Sequence, residues 1–97
     1  MTPVHDFELS FAARAIKQGG LDLYPTGDAL ALIEAAKAHG APVLGVETFL
    51  VAAGKTCPQM DHILDLSGAD KQCDTWDEAR RFISERSGRG FLFEVVL

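Results

Sequence analysis

The stretch APVLGVETFLVAAGKTCP, residues 41–58, decides the fold because it contains the most apolar segment of the chain. Its eleven residues 43–53 include a single charge, that of Glu47. Apolar residues occupy both the odd-numbered and the even-numbered positions of this segment, which predicts a strand over residues 43–51. The AAGK that follows predicts a turn, and HILDL, residues 62–66, predicts a second short strand.

Two helices are predicted before this strand. DFELSFAARAIKQGG, residues 6–20, has helical apolar spacing, and its two glycines supply a stop. YPTGDALALIEAAKAHG, residues 24–40, predicts a second helix that Asp28 caps at its start. Gly40 is expected to end this helix in the left-handed conformation that glycine tolerates.

The third predicted helix is TWDEARRFISERSG, residues 75–88. Thr75 and Glu78 have the spacing of a capping box, in which each side chain satisfies a backbone donor at the helix start. An apolar stripe follows helical spacing and is expected to pack on the sheet. Its members are Trp76, Ala79, Phe82 and Ile83.

The chain closes on FLFEVVL, residues 91–97, which predicts a last strand with one charge, that of Glu94. The order helix, helix, strand, strand, helix, strand predicts one α+β domain over residues 1–97. We expect about three helices packed on a three-stranded, largely antiparallel sheet. A chain of 97 residues is long enough to bury one modest core.

Charge and hydropathy narrow the function classes. The formal charge of −5 argues against nucleic acid as a partner, because binding phosphate needs a basic face. The start of the sequence has no basic stretch followed by an apolar run, and no apolar run approaches the roughly 18 residues of a membrane span. We therefore expect a cytoplasmic protein without a membrane partner, in which Cys57 and Cys73 remain thiols.

Glu47 and Glu94 are the candidates for chemistry, because both lie in predicted strands. Two carboxylates on neighbouring strands can perform acid–base catalysis. The alternative is structural, with each carboxylate facing solvent or bonding to a local backbone group, and we favour a hydrogen-bonding role for Glu47. Trp76 is a further candidate for a structural or binding role.

Motifs for metal binding and for catalysis are missing from the sequence. Cys57, His62 and Cys73 lack the local spacing of a zinc site. AAGKT, residues 52–56, lacks the first glycine of a phosphate-binding loop, since Phe49 stands in that position. No serine lies in a G-x-S-x-G pattern. We therefore expect no enzyme activity, no cofactor and no metal.

An acidic run is the remaining candidate for a binding surface. Residues 61–78 contain six acids and one base, whereas residues 79–89 contain four arginines and one acid. Such a run is either an interaction surface or a solvated loop beside a charged helix. The candidate partner-binding residues are Asp61, Asp65, Asp70, Asp74, Asp77 and Glu78.

Three segments together resemble the small immunity proteins of bacterial polymorphic toxin systems, most closely the immunity protein 40 family. They are ALALIEAAKAHGAPVLGVE, TWDEARRFI and the terminal FLFEVV, and the resemblance covers residues 27–97. It implies a protein that binds and blocks a cognate toxin without catalysis. An acidic chain suits a basic toxin, because opposite charge speeds association.

Two other functions stay open. The chain could be an adaptor or subunit that pairs through an apolar sheet face, including with a second copy as a homodimer. It could also be a small enzyme that uses Glu47 and Glu94.

Overall fold

The computed structural model describes residues 11, 13–18, 20–52, 54–66 and 74–97, and these form a small α+β domain. Two helices and five strands are found among them. In chain order they are β1 Ile16–Gln18, β2 Leu21–Leu23, α1 Thr26–Ala38, β3 Gly45–Ala52, β4 Lys55–Asp65, α2 Thr75–Glu85 and β5 Leu92–Val96. Neither described helix is long and apolar enough to cross a membrane.

The strands form two sheets. β3 lies between β4 and β5 in an antiparallel three-stranded sheet, and β1 pairs with β2 in an antiparallel hairpin. Tyr24, just after β2, exchanges two backbone hydrogen bonds of 2.8 Å with Phe93 of β5. The hairpin is therefore joined to the larger sheet at the free side of β5.

The prediction of a helix over residues 6–20 is wrong in its second half. Residues 16–18 form β1, and Gly20 has a φ of 82° in the turn that leads to β2. Glycine accepts such a left-handed conformation without strain, so Gly20 suits the tight turn between β1 and β2. The first part of the predicted helix, residues 6–10, lies outside the described residues.

The start of α1 differs from the sequence prediction, whereas its end confirms it. Pro25 precedes the helix without a side-chain cap, and Asp28 lies in the first turn. Gly40 has a φ of 69°, and its N–H bonds to the carbonyl of Lys37 at 3.1 Å. The N–H of Ala41 bonds to the carbonyl of Ala36 at 2.8 Å, which completes the paired bonds of a glycine-ended helix.

The predicted cap of α2 is wrong by one residue. The Asp74 carboxylate accepts the N–H of Asp77 at 2.9 Å and caps the helix. The hydroxyl of Thr75, the first helical residue, instead accepts the N–H of Val43 at 3.2 Å. The indole Nε1 of Trp76 donates to the carbonyl of Ala41 at 2.8 Å. The first turn of α2 is thus fastened to the segment that leads into β3.

Both helices cover one face of the three-stranded sheet. The core lies between them and contains the apolar stripe predicted for α2, apart from the half-buried Trp76 at its margin. Its buried members are Tyr24, Ala29, Leu32, Ile33, Val43, Val46, Ala79, Phe82, Ile83 and Phe93. Because side chains alternate along a strand, the neighbours of Val46 and Phe93 lie on the opposite face of the sheet.

β4 is longer than its predicted counterpart and is interrupted. It turns back from β3 at Gly54, whose φ is 76°, as the sequence predicts. Glu47 pairs with Ile63, but Phe49 already pairs with Pro58, so residues 59–62 bulge from the ladder. The proline is tolerated because β4 is an edge strand.

Candidate functional site

The face of the sheet that points away from the helices carries two rows of side chains across three strands. One row places Gly45 between Asp65 and Val96, and the next places Glu47 between Ile63 and Glu94. Three apolar residues at this end of the sheet remain exposed: Leu44 at 41%, Ile63 at 41% and Val96 at 39%. Carboxylates and exposed apolar side chains are therefore interleaved on one open surface.

Glu47 and Glu94 stand directly opposite each other on β3 and β5. The pKa of Glu94 lies above its ordinary value, chiefly because the carboxyl is partly desolvated, and then because it is hydrogen-bonded to Glu47 and feels its negative charge. Asp22 adds a smaller repulsion of the same sign. A hydrogen bond between two carboxyl groups needs one proton, so the pair is bonded while it holds a proton and repels when both groups are ionised.

A cavity of about 370 Å³ opens beside Glu47. Gly45 lies in its lining and contributes no side chain to it. A β carbon at Gly45 would lie 2.9 Å from the carbonyl oxygen of Leu64, too close to fit without moving the backbone. The lining residues are Leu44, Gly45, Val46, Glu47, Ile63, Leu64, Asp65 and Val96.

A second, smaller cavity of about 220 Å³ lies on the other side of Glu94. Asp22 shares this cavity with Glu94 and is paired with Lys17 at 2.6 Å across the β1–β2 hairpin. Three carboxylates, those of Asp22, Glu94 and Glu47, therefore follow one another from the hairpin to the centre of the sheet.

The acidic run separates into parts with different surroundings. Asp61 and Asp65 are exposed on the edge strand β4, whereas Asp70 lies outside the described residues. The other three acids lie at the start of α2 and make contacts within that helix. Asp74 caps the helix, Asp77 contacts Arg80 and Arg81 at 3.1 and 3.2 Å, and Glu78 lies 4.0 Å from Arg81. The role of this run in binding a partner stays a prediction.

The described residues contain no group of three or more metal-ligating side chains close enough to hold a metal ion. Cys57 is a free, exposed thiol, and Cys73 lies outside the described residues. His62 accepts the Nε–H of Arg86 at 3.1 Å, and this guanidinium lies 3.8 Å from the ring centre of Phe82. These contacts hold the β4 bulge against α2, which gives His62 a structural place.

The arrangement can exchange a proton and can attract a cation. Its lining is apolar apart from two carboxylates, Glu47 and Asp65, so a ligand with a positive end and an apolar body matches it. The sequence pattern predicts Glu47 and Glu94 as candidates but does not indicate Gly45, Ile63 or Val96. The sequence could have indicated Gly45, because residues two apart in a strand lie on the same face and Gly45 is two residues from Glu47.

No protein-family model, curated protein or solved structure shows significant similarity to this chain. The resemblance to immunity proteins therefore stays a prediction.

Proposed function

We propose that this chain is an immunity-type binding protein that neutralises a cognate basic toxin by direct contact through the open face of its three-stranded sheet. The observation that carries the proposal is the placement of Glu47 directly opposite Glu94 in the middle of that face. Like charges at directly opposed positions destabilise a sheet.

A feature that costs the free protein stability suggests a role in binding. Local rules of sequence and structure are broken chiefly at functional sites, where a compensating gain comes from outside the chain. A lysine or arginine of a partner would supply that gain, because its positive charge cancels the repulsion between the two carboxyl groups. The excess of five negative charges on the whole chain would also speed the approach of a basic partner.

The apolar neighbours of the pair support the same function. Ile63 and Val96 are exposed beside the carboxylates rather than scattered over the surface. Interfaces combine a buried apolar centre with a few well-placed polar groups, and this face has both.

The test is to produce the chain together with the protein encoded by the neighbouring gene, where a cognate toxin is expected. We expect a complex whose association slows as salt rises. Glu47→Gln should weaken binding, whereas Asp61→Asn, which removes the same charge from the exposed edge strand, should change it little. Equal effects of the two substitutions would place the contact elsewhere, and no binding at all would exclude the toxin partner.

Acid–base catalysis by the same pair is the second candidate, and the raised pKa of Glu94 beside Glu47 favours it. The two candidates differ in stoichiometry. A binding protein protects against the toxin only when present in at least equal amount, whereas an enzyme protects at a small fraction of that amount. A titration of toxin activity against the amount of this chain distinguishes them.

Self-pairing is the remaining outcome. Sedimentation of the chain alone measures it, because a homodimer through the open sheet would form without any toxin. A dimer that Glu47→Lys abolishes would replace the toxin proposal with the subunit hypothesis.

A further inference from the structure

We infer that the cavity beside Gly45 is a socket for one arginine side chain, presented by the basic partner. This inference rests on the proposed function and adds to it the part of the partner that is recognised. The socket is defined as the cavity whose walls include Ile63 and Val96 and whose acidic side is Glu47.

The shape of the socket fits a long side chain entering from the open face. Its volume of about 370 Å³ lies near the lower end of the roughly 300–1,000 Å³ of ordinary ligand pockets. Gly45 contributes no side chain to its row, while Asp65 and Val96 stand on either side. The cavity is therefore a gap between side chains in a sheet surface, and it needs no backbone movement to open.

The chemistry of the socket favours a cationic side chain with an apolar stem. Long basic side chains pack their methylene groups on apolar surface while the charged head reaches a polar partner. Ile63 and Val96 offer the apolar surface, and Glu47 offers the carboxylate. An arginine satisfies this carboxylate better than a lysine, because its planar head donates two parallel hydrogen bonds and is less strongly hydrated.

Glu94 on β5 positions the side chain of Glu47 from the side opposite the socket. It lines the second cavity rather than the socket, and its hydrogen bond to Glu47 orients the Glu47 carboxyl group. A glutamine at position 94 would keep a donor for this bond, whereas a glutamine at position 47 would remove the charge that binds the guanidinium. The two isosteric substitutions therefore have different expected effects on the same pair.

The experiment is a titration of the isotope-labelled chain with acetyl-leucyl-arginyl-leucine amide, followed by amide chemical shifts. We expect saturable shifts at Gly45, Glu47 and Val96, with a dissociation constant on the order of 1 mM for so small a probe. The same peptide with citrulline in place of arginine has the same shape without the charge, and it should bind several-fold more weakly.

Variants of the chain complete the test. Glu47→Gln should weaken peptide binding at least several-fold, and Glu94→Gln, which keeps a donor for Glu47, should weaken it less. Ile63→Trp, at an exposed position, should fill the socket and abolish the shifts while the remaining spectrum stays that of the folded chain. Shifts centred on Asp61 and Asp77, or equal binding of the citrulline peptide, would overturn the inference.

The outcomes separate the socket from the proposed function. If the peptide binds in the socket but no toxin binds the chain, the inference of an arginine socket is supported and the proposed immunity function is refuted. If a toxin binds and neither Glu47→Gln nor Ile63→Trp affects it, the function stands and the socket is refuted.

Discussion

Glu47 and Glu94 are two half-buried acids on adjacent strands, and their juxtaposition explains how an apolar strand accommodates a carboxylate. Glu47 sits on the open face, while Val46 beside it enters the core. The alternation of the strand thus lets one segment be apolar towards the helices and acidic towards its outer surface. The cost falls on Glu94, which keeps its proton more readily than an ordinary glutamate.

Replacing Glu94 by glutamine should stabilise the chain at neutral pH. The substitution keeps a hydrogen-bond donor for Glu47 and removes a like charge, and opposed pairs in sheets contribute about 0.2–1 kcal/mol. We expect the free energy of unfolding in urea to rise by an amount in that range. A decrease would show that Glu94 is held by a favourable contact that glutamine cannot make.

The pH dependence of stability should reveal the same group. The pKa of Glu94 is raised in the folded chain, so the folded state binds its proton more tightly than the unfolded state does. Protonation of Glu94 therefore stabilises the folded chain. This stabilisation is fully present at pH values below the ordinary glutamate pKa, and it is lost as the pH rises through the raised pKa of Glu94. Urea unfolding between these limits should show stability falling with pH, and Glu94→Gln should flatten this part of the curve.

Thr48 presents the opposite case, a polar group in the core. It is 1% exposed, and its hydroxyl has no hydrogen-bond partner among the described residues. An unsatisfied buried group costs about 1–3 kcal/mol, so Thr48→Val should raise the free energy of unfolding by about 1 kcal/mol. Thr56→Val on the edge strand is the control and should change stability by about 0.5 kcal/mol or less. Destabilisation by Thr48→Val would mean that the hydroxyl is satisfied.

At the scale of elements, α2 depends on its first turn. Asp74 caps the helix, and the side chains of Thr75 and Trp76 bind the segment before β3. Asp74→Ala should lower the free energy of unfolding by about 0.5–2 kcal/mol, the usual cost of losing such a cap. Asp61→Ala removes an exposed acid without a cap and should have a smaller effect in the same urea titration. Equal effects would assign the loss to charge rather than to capping.

The apolar side of α2 supplies part of the core. Phe82 is 9% exposed, and the guanidinium of Arg86 covers its ring. Phe82→Ala should cost about 3–5 kcal/mol, the usual range for truncating a core aromatic residue. Thermal or urea unfolding measures this loss, and a midpoint equal to that of the unaltered chain would contradict the packing of α2 on the sheet.

At the scale of the whole molecule, negative charge has two separate uses. Asp74 and Asp77 stabilise α2 through its cap and its ion pairs, whereas Glu47 lies on the open sheet face. Reversing Asp74 and Asp77 to lysine, as a test of partner binding by the acidic run, would also remove the cap and the ion pairs of α2. Glu47→Gln is the sharper test of binding.

The redox state of the two cysteines also belongs to the scale of the whole chain. Cys57 is exposed on β4, and we predict that it and Cys73 remain reduced in the cell. Rapid alkylation followed by mass spectrometry should find both modified. A peptide that links Cys57 to Cys73 would contradict the prediction and the expected compartment together.

Local pattern was sufficient for much of the fold. The apolar stripe of α2, the left-handed end of α1 at Gly40 and the turn at Gly54 all follow from neighbouring residues. Residues 16–23 form a hairpin, although the apolar spacing of residues 6–20 predicts a helix. Only the pairing of β1 with β2 decides between the two structures. Thr75 was misassigned as a cap for a similar reason, since its hydroxyl binds Val43, 32 residues away in sequence.

For the site, the sequence by itself determined that two lone carboxylates lie in apolar strands and that Gly45 shares the parity of Glu47. Parity is a local property, because each residue of a strand points opposite to the one before it. Only the tertiary structure decided that Glu47 faces Glu94 and that Gly45 lies between Asp65 and Val96. Register between strands distant in sequence is set by which faces can be buried together, and that depends on the helices packed across the sheet.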